Sequence, residues 1–172
     1  MKVKVMKKIV FLLLIVTVAG YAMPANHTVP VAGASTADWN PASFWYSPWG
    51  RSGTHKGIDI FAKEGAAVLA AANGVVIYTG FNDMGGNSVL VLGPKWRFYY
   101  YAHLQRIDTR VLRQVRTGDI IGAVGRTGNA KGKPPHLHFS VRSLLPLFWQ
   151  YDASKTQAWN RVFYLDPGAL LA

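Results

Sequence analysis

The 172 residues contain no cysteine and a single glutamate, Glu64. Without cysteine there is no disulfide framework, no thiolate metal ligand and no lipid-attachment site. With one glutamate there is no His-Glu-x-x-His motif, so the glutamate base of that kind of metalloprotease is excluded. Acidic residues are scarce altogether, eight Asp and Glu against nineteen Lys and Arg, for a net charge of +11 at pH 7. The apolar run Ile9 to Ala19 falls short of the roughly 20 residues that a bilayer span needs. It follows Lys2, Lys4, Lys7 and Lys8 and precedes the small-x-small stretch Gly20-Tyr21-Ala22. That order is the n-region, h-region and cleavage site of a secretory signal, so residues 1–22 are expected to be removed on export. An apolar run extending to Met23 would instead be an uncleaved anchor and the chain's one membrane contact.

Loss of those four lysines leaves a net charge of about +7. The basic residues are dispersed, the densest group being Arg106, Arg110, Arg113 and Arg116. A balance of this sign favours an anionic partner. Nucleic acid is a poor choice for an exported chain without a helix-turn-helix or RNA-binding signature. Carboxylate- and phosphate-rich envelope polymers fit better, and a merely soluble basic surface is the plain alternative.

Residues 23–40 mix Pro, Ala, Thr and Val without a period and read as a linker. Residues 41–172 read as one domain, large enough to form a core without staples. Its signals are short strands after turn residues: Val75 to Tyr78, Val89 to Leu92, Arg97 to His103 and Asp119 to Val124. This spacing predicts a mainly β fold, a compact antiparallel sheet rather than βαβ units. The Ala-rich "GAAVLAAANG" suggests a short helix ending at Gly74. Phe148 to Ala172 reads as a closing strand or turn with a helical turn.

The segment "HLHFSV", His136 to Val141, carries the chemistry. Strand alternation puts His136, His138 and Ser140 on one face and Leu137, Phe139 and Val141 on the other, with Pro134 and Pro135 marking the start. One face feeds a core, and the other presents two imidazoles that packing does not require. Two more histidines stand in "HKGID" (His55, with Asp59) and "YYYAHL" (His103); His27 lies in the linker and is unremarkable. Singly, each has a plain reading: a loop residue, a turn aspartate, a core histidine sharing the face of Tyr99 and Tyr101. Together they match what zinc uses, imidazole nitrogen and carboxylate oxygen in a tetrahedral shell with one position kept for water. His55, Asp59 and one histidine from a distant strand fill three positions. Two histidines remain, suited to moving protons near neutral pH.

"HKGIDI", "YAHL" and "HLHF", in this order and with "GDIIGAVGRTGNAKGKPPHLHF" among them, resemble the M23 family of zinc metallopeptidases, the lysostaphin- or LytM-like peptidases. The likeness runs from about Trp49 to Arg142. It implies a peptidoglycan endopeptidase on a lysostaphin-type, duplicated-hybrid-motif-like β-fold with its active site in a groove. It assigns one zinc ion per chain to His55, Asp59 and His138, and catalytic roles to His103 and His136. Three departures bear on the groove walls: Ser140 replaces a frequent acid, the loop Arg51 to His55 is short, and Gly93 to Trp96 replaces the usual turn before "YAHL". Trp45, Tyr46, Trp49 and Trp96 are candidates for lining the groove. Peptidoglycan is the expected partner, with other anionic envelope polymers beside it. The chain is expected to be monomeric and exported, with the periplasm favoured over full secretion or cell-wall association. Two other classes stay open: a non-catalytic binding or activator protein using the same groove, and an envelope-binding protein with a structural zinc site.

Overall fold

The computed structural model describes residues 2–172. Its first element, α1 (Lys2–Ala22), is an exposed helix in which Val3–Ala22 has a mean hydropathy of 2.0. That is long and apolar enough to cross a membrane, because the helix continues past the apolar run at both ends. It touches the rest of the chain at Trp96, whose indole Nε1 donates to the Thr17 carbonyl at 2.9 Å.

Ten strands follow: β1 (Ile58–Phe61), β2 (Ala67–Leu69), β3 (Gly74–Asn82), β4 (Gly86–Gly93), β5 (Arg97–Leu104), β6 (Arg106–Ile107), β7 (Gln114–Val115), β8 (Ile120–Ala123), β9 (His136–Ser143) and β10 (Tyr164–Leu165). Two short helices, α2 (Ala158–Arg161) and α3 (Pro167–Leu171), flank β10. Every strand pair is antiparallel, as the short, turn-punctuated runs predict. The larger sheet runs β1-β9-β5-β4-β3-β7, with β10 continuing the β1 edge along β9; a smaller sheet runs β2-β8-β6. Between them lies one core, in which Tyr99, Tyr101 and Phe139 are the largest fully buried side chains. Alternation fixes this. Ile58, Ile60, Leu137, Phe139 and Val141 face inward, so their neighbours Asp59, His136 and His138 are left on the opposite face.

One expectation fails here. The Ala-rich segment forms no helix: β2 ends at Leu69, and Ala70, Ala71 and Ala72 run on buried and non-helical. Their backbone bonds go to Asp119, Thr28 and the Tyr101 hydroxyl, and their small side chains let the chain pass close beneath that ring. Tertiary pairing outweighs a helix propensity of less than about 1 kcal/mol per residue. The segment 23–40 packs on the domain. Val31 pairs with Val68, Val31 and Trp39 are buried, and His27 Nε2 lies 2.9 Å from the Tyr99 hydroxyl. Burial, with the charges of Arg97 and Lys95, lowers the His27 pKa.

Candidate metal centre and groove

The groove of about 700 Å³ lies on the outer face of the larger sheet. Strand register builds its floor. Asp59 pairs with His138, Phe61 with His136, Ala102 with His138 and Tyr100 with Ser140, so each pair presents its side chains to the same side. Gly57 lets β1 approach β9 closely, since a Cβ there would stand 2.3 Å from the Phe139 carbonyl oxygen. His55 stands in the loop before β1, four residues ahead of Asp59.

Three atoms converge. His55 Nε2 lies 3.0 Å from Asp59 Oδ1 and 3.1 Å from His138 Nδ1, and His138 Nδ1 lies 2.9 Å from Asp59 Oδ1. Metal–ligand bonds of about 2.0–2.1 Å in a tetrahedral site put neighbouring ligand atoms about 3.3–3.4 Å apart. The observed triangle is close to that. Its donor set is the sharper test. His55 Nδ1–H donates to the Ser43 carbonyl at 3.0 Å, so once the ring is neutral its Nε2 lone pair is free to ligate. Asp59 offers only acceptors, and these two point at each other with His138 Nδ1. Burial alone raises the Asp59 pKa, but hydrogen bonds and charge from His138 and His55 outweigh it and hold the carboxyl far below its usual range. His55, Asp59 and His138 therefore fit a divalent cation and leave a fourth position open.

The other two histidines stand beside this triangle without joining it. His136 Nδ1–H donates to the Pro134 carbonyl at 2.8 Å, and His103 Nδ1–H donates to the Thr127 carbonyl at 3.0 Å. Both rings thus keep Nε2 unprotonated when neutral. Their centroids are 5.0 Å apart, and the His103 ring is 6.0 Å from that of His138. Burial first, then the charges of His138 and His136, push the His103 imidazole down to about 4, so it is neutral at pH 7.

His103 corrects the sequence reading of its face. Strict alternation groups it with Tyr99 and Tyr101, which are fully buried. Instead its φ is +64°, and the β4–β5 register slips between Asn87 and Val89, turning the ring into the groove with Tyr100 and Ala102. A left-handed conformation costs a non-glycine residue about 1–2 kcal/mol, and bulges of this kind re-aim side chains. His103 N–H bonded to Gly85 O at 2.7 Å and the Thr127 contact hold it there. Thr127 is itself fixed because Gly128 and Gly86, both at positive φ, pack backbone to backbone; a Cβ on Gly128 would lie 2.3 Å from Gly86 N.

Of the four aromatic candidates, Trp49 lines the groove, stacked on His55 at 4.2 Å. Trp45 is buried with its indole bonded to Thr156, Tyr46 lies outside the lining, and Trp96 packs against α1. Tyr100, Phe61, Met84 and Tyr164 line the groove without having been singled out by sequence. Of the departures from the family pattern, Ser140 and the Arg51–His55 loop border the groove, whereas Gly93 to Trp96 lies outside it. Glu64 pairs with Arg126 at 2.8 Å, away from the groove.

The sequence profile of peptidase family M23 matches residues 53–154, which contain all five of these site residues. The chain belongs to peptidase family M23. It is 36% identical over 90 residues to the peptidoglycan DD-endopeptidase ShyC of Vibrio cholerae, covering 52% of this chain and 20% of that one. It is 31% identical over 137 residues to the murein hydrolase activator NlpD of Salmonella dublin, covering 74% of this chain and 36% of that one. The chain therefore spans about a fifth to a third of these M23 relatives. The fold is similar to the catalytic domain of lysostaphin from Staphylococcus simulans, with a TM-score of 0.57, 26% identity, and coverage of 73% of this chain and 85% of that one.

Proposed function

We propose that this M23 chain is a zinc-dependent endopeptidase that hydrolyses peptide bonds in peptidoglycan stem peptides or cross-links. The observation that carries the reading is the triangle of His55, Asp59 and His138 beside two histidines tethered through Nδ1. Zinc held by those three residues would supply an acidified water and polarise the scissile carbonyl. Asp59 is the one anionic ligand, so the centre keeps a net positive charge. Ser43 fixes the His55 tautomer, and Trp49 fixes its ring plane. His103 and His136 act at Nε2: one accepts the proton of the attacking water, and the other, protonated, hydrogen-bonds the developing oxyanion. With Glu64 committed to Arg126, the histidines are the site's proton carriers.

The second reading is an activator that uses the groove without turnover, as NlpD's name says of that relative. The two are separated by zinc content together with release of soluble fragments from purified peptidoglycan. One zinc per chain with hydrolysis supports the enzyme. Zinc-independent stimulation of another hydrolase supports the activator. Full hydrolysis by a metal-free preparation overturns the zinc reading. The same function places the mature chain in the envelope, with the periplasm favoured and residues 1–22 removed on export. N-terminal sequencing should begin near Met23, and a protein that starts at Met1 and needs detergent for extraction would make α1 an anchor instead.

A further inference from the structure

Of the described acidic residues, the groove's lining contains Asp59, whose carboxylate is taken up by His55 and His138. The other charged side chains of the lining are Arg51, Lys56 and Lys133. None of the three has a carboxylate within 4.0 Å among the described residues. The nearby acids are engaged or face elsewhere. Glu64 holds Arg126, Asp108 holds Arg106, and Asp83 is exposed on the β3–β4 turn outside the lining. The arginine-rich stretch around Arg106 to Arg116, which carries the densest basic character of the sequence, lies outside the groove.

Like charges gathered around a cation-binding triangle repel one another, and they do so more strongly in a half-enclosed groove than in open water. A neutral strand, such as an oligoglycine bridge, gives such a cluster nothing to neutralise. An acidic strand does. We propose that Arg51, Lys56 and Lys133 form a carboxylate-binding subsite, so that the groove takes an acidic peptide: the carboxylate-bearing stem peptides of directly cross-linked peptidoglycan rather than neutral bridges. This rests on the endopeptidase reading and adds the substrate class to it. Arg51 and Lys56 come from the loop that carries His55, and Lys133 from the loop that leads into His136, so each of these two segments brings charge as well as a site histidine. Lys56 is partly committed: its Nζ donates to the Ser52 carbonyl at 3.2 Å, which holds the ammonium at the groove wall with further N–H donors to offer. Arg51 and Lys133 are exposed and free to close on a ligand.

The test uses the zinc-loaded full chain and two isosteric substrates. One is a directly cross-linked stem-peptide dimer with free carboxylates, and the other is the same dimer with those carboxylates converted to carboxamides. The amidated dimer should be cleaved with a kcat/KM about ten-fold lower, the size of one lost charge-assisted contact, and the loss should lie in KM. Arg51→Gln and Lys133→Gln should each narrow the difference while zinc content stays unchanged. Raising the salt concentration should narrow it too. Equal cleavage of the two dimers, or an undiminished preference in the variants, overturns the proposal. Binding of both dimers to zinc-loaded His136→Ala keeps the subsite testable apart from turnover. If wild type cleaves neither dimer but the free-carboxylate form binds more tightly, the hydrolase reading falls and the subsite stands. If His136→Ala shows no preference, the subsite falls whatever the turnover.

Discussion

The site has two halves that share strand β9. In the triangle of His55, Asp59 and His138, three ligand atoms crowd within 3.1 Å of one another. In the pair of His103 and His136, each ring is tied through Nδ1 to a backbone carbonyl and stands 5.0 Å from the other. Strand β9 contributes one residue to each half, two positions apart. The contrast shows that ring orientation, not residue type or face, separates a candidate ligand from a candidate proton carrier. His138 turns Nδ1 toward Asp59, whereas His136 spends its Nδ1–H on Pro134 and keeps Nε2 for the groove.

The largest effect should come from breaking the triangle. Asp59→Ala removes its only anion, so bound zinc should be lost and hydrolysis should fall to background. Metal analysis and peptidoglycan turnover measure both, and a variant that keeps stoichiometric zinc would remove Asp59 from the ligand set. A chelator should abolish wild-type activity in the same way, with added zinc restoring it.

Within β9 the two histidines should then part. His138→Ala loses zinc and turnover together. His136→Ala keeps zinc and fold but loses about 10²–10⁴-fold in turnover, the usual contribution of a general acid–base group. If His136→Ala loses its zinc while His138→Ala retains it, the assignment of the pair is reversed. Loss of zinc from both would point to a site closed by four protein ligands, which has no position left for water.

Much of this contrast was legible before the fold. The turn-punctuated strands, the alternation of "HLHFSV" and the turn before it follow from period-two patterning and proline chemistry, and the structure keeps them. The pairing of Asp59 with His138 across β1 and β9 was legible only as a motif likeness, because register depends on residues distant in sequence. The misreadings share that cause. His103 was grouped with Tyr99 and Tyr101 because a bulge and a left-handed φ leave no mark in residue type. Ala70 to Ala72 looked helical because their partners, Thr28, Asp119 and Tyr101, are far along the chain. The tethers of His55, His103 and His136 are the backbone carbonyls of Ser43, Thr127 and Pro134 respectively, and a carbonyl carries no sequence signature.

A smaller perturbation tests how stiff the triangle has to be. Trp49 stacks on His55 with an interplanar angle of 24°. Trp49→Ala frees that ring without touching a ligand atom. Zinc affinity, read by competition with a chelator, should weaken about ten-fold, the lower end of what outer-shell support contributes, while kcat per bound zinc stays near wild type. A lower kcat at unchanged affinity would instead place Trp49 in contact with the reacting strand.

The smallest effect separates the halves by pH, in chelated protein so that metal loss does not intervene. An unfolded histidine titrates near 6.5, whereas burial and neighbouring charge push His103 down to about 4. Between those values the unfolded chain binds more protons than the native one. Stability therefore rises with pH through that window and is lost as pH falls from about 6.5 towards 4. Asp59 acts in the same sense but lower on the pH scale. Its depressed carboxyl contributes stability above its unfolded value of about 3.9 and loses it only below, outside the window. His103→Asn removes the titrating ring yet tolerates the left-handed backbone, since asparagine is enriched there. Urea midpoints of this variant should fall less steeply between pH 6.5 and 4 than those of wild type, while the two proteins converge in slope below pH 4. Parallel curves across the upper window would show that His103 is not the group held neutral.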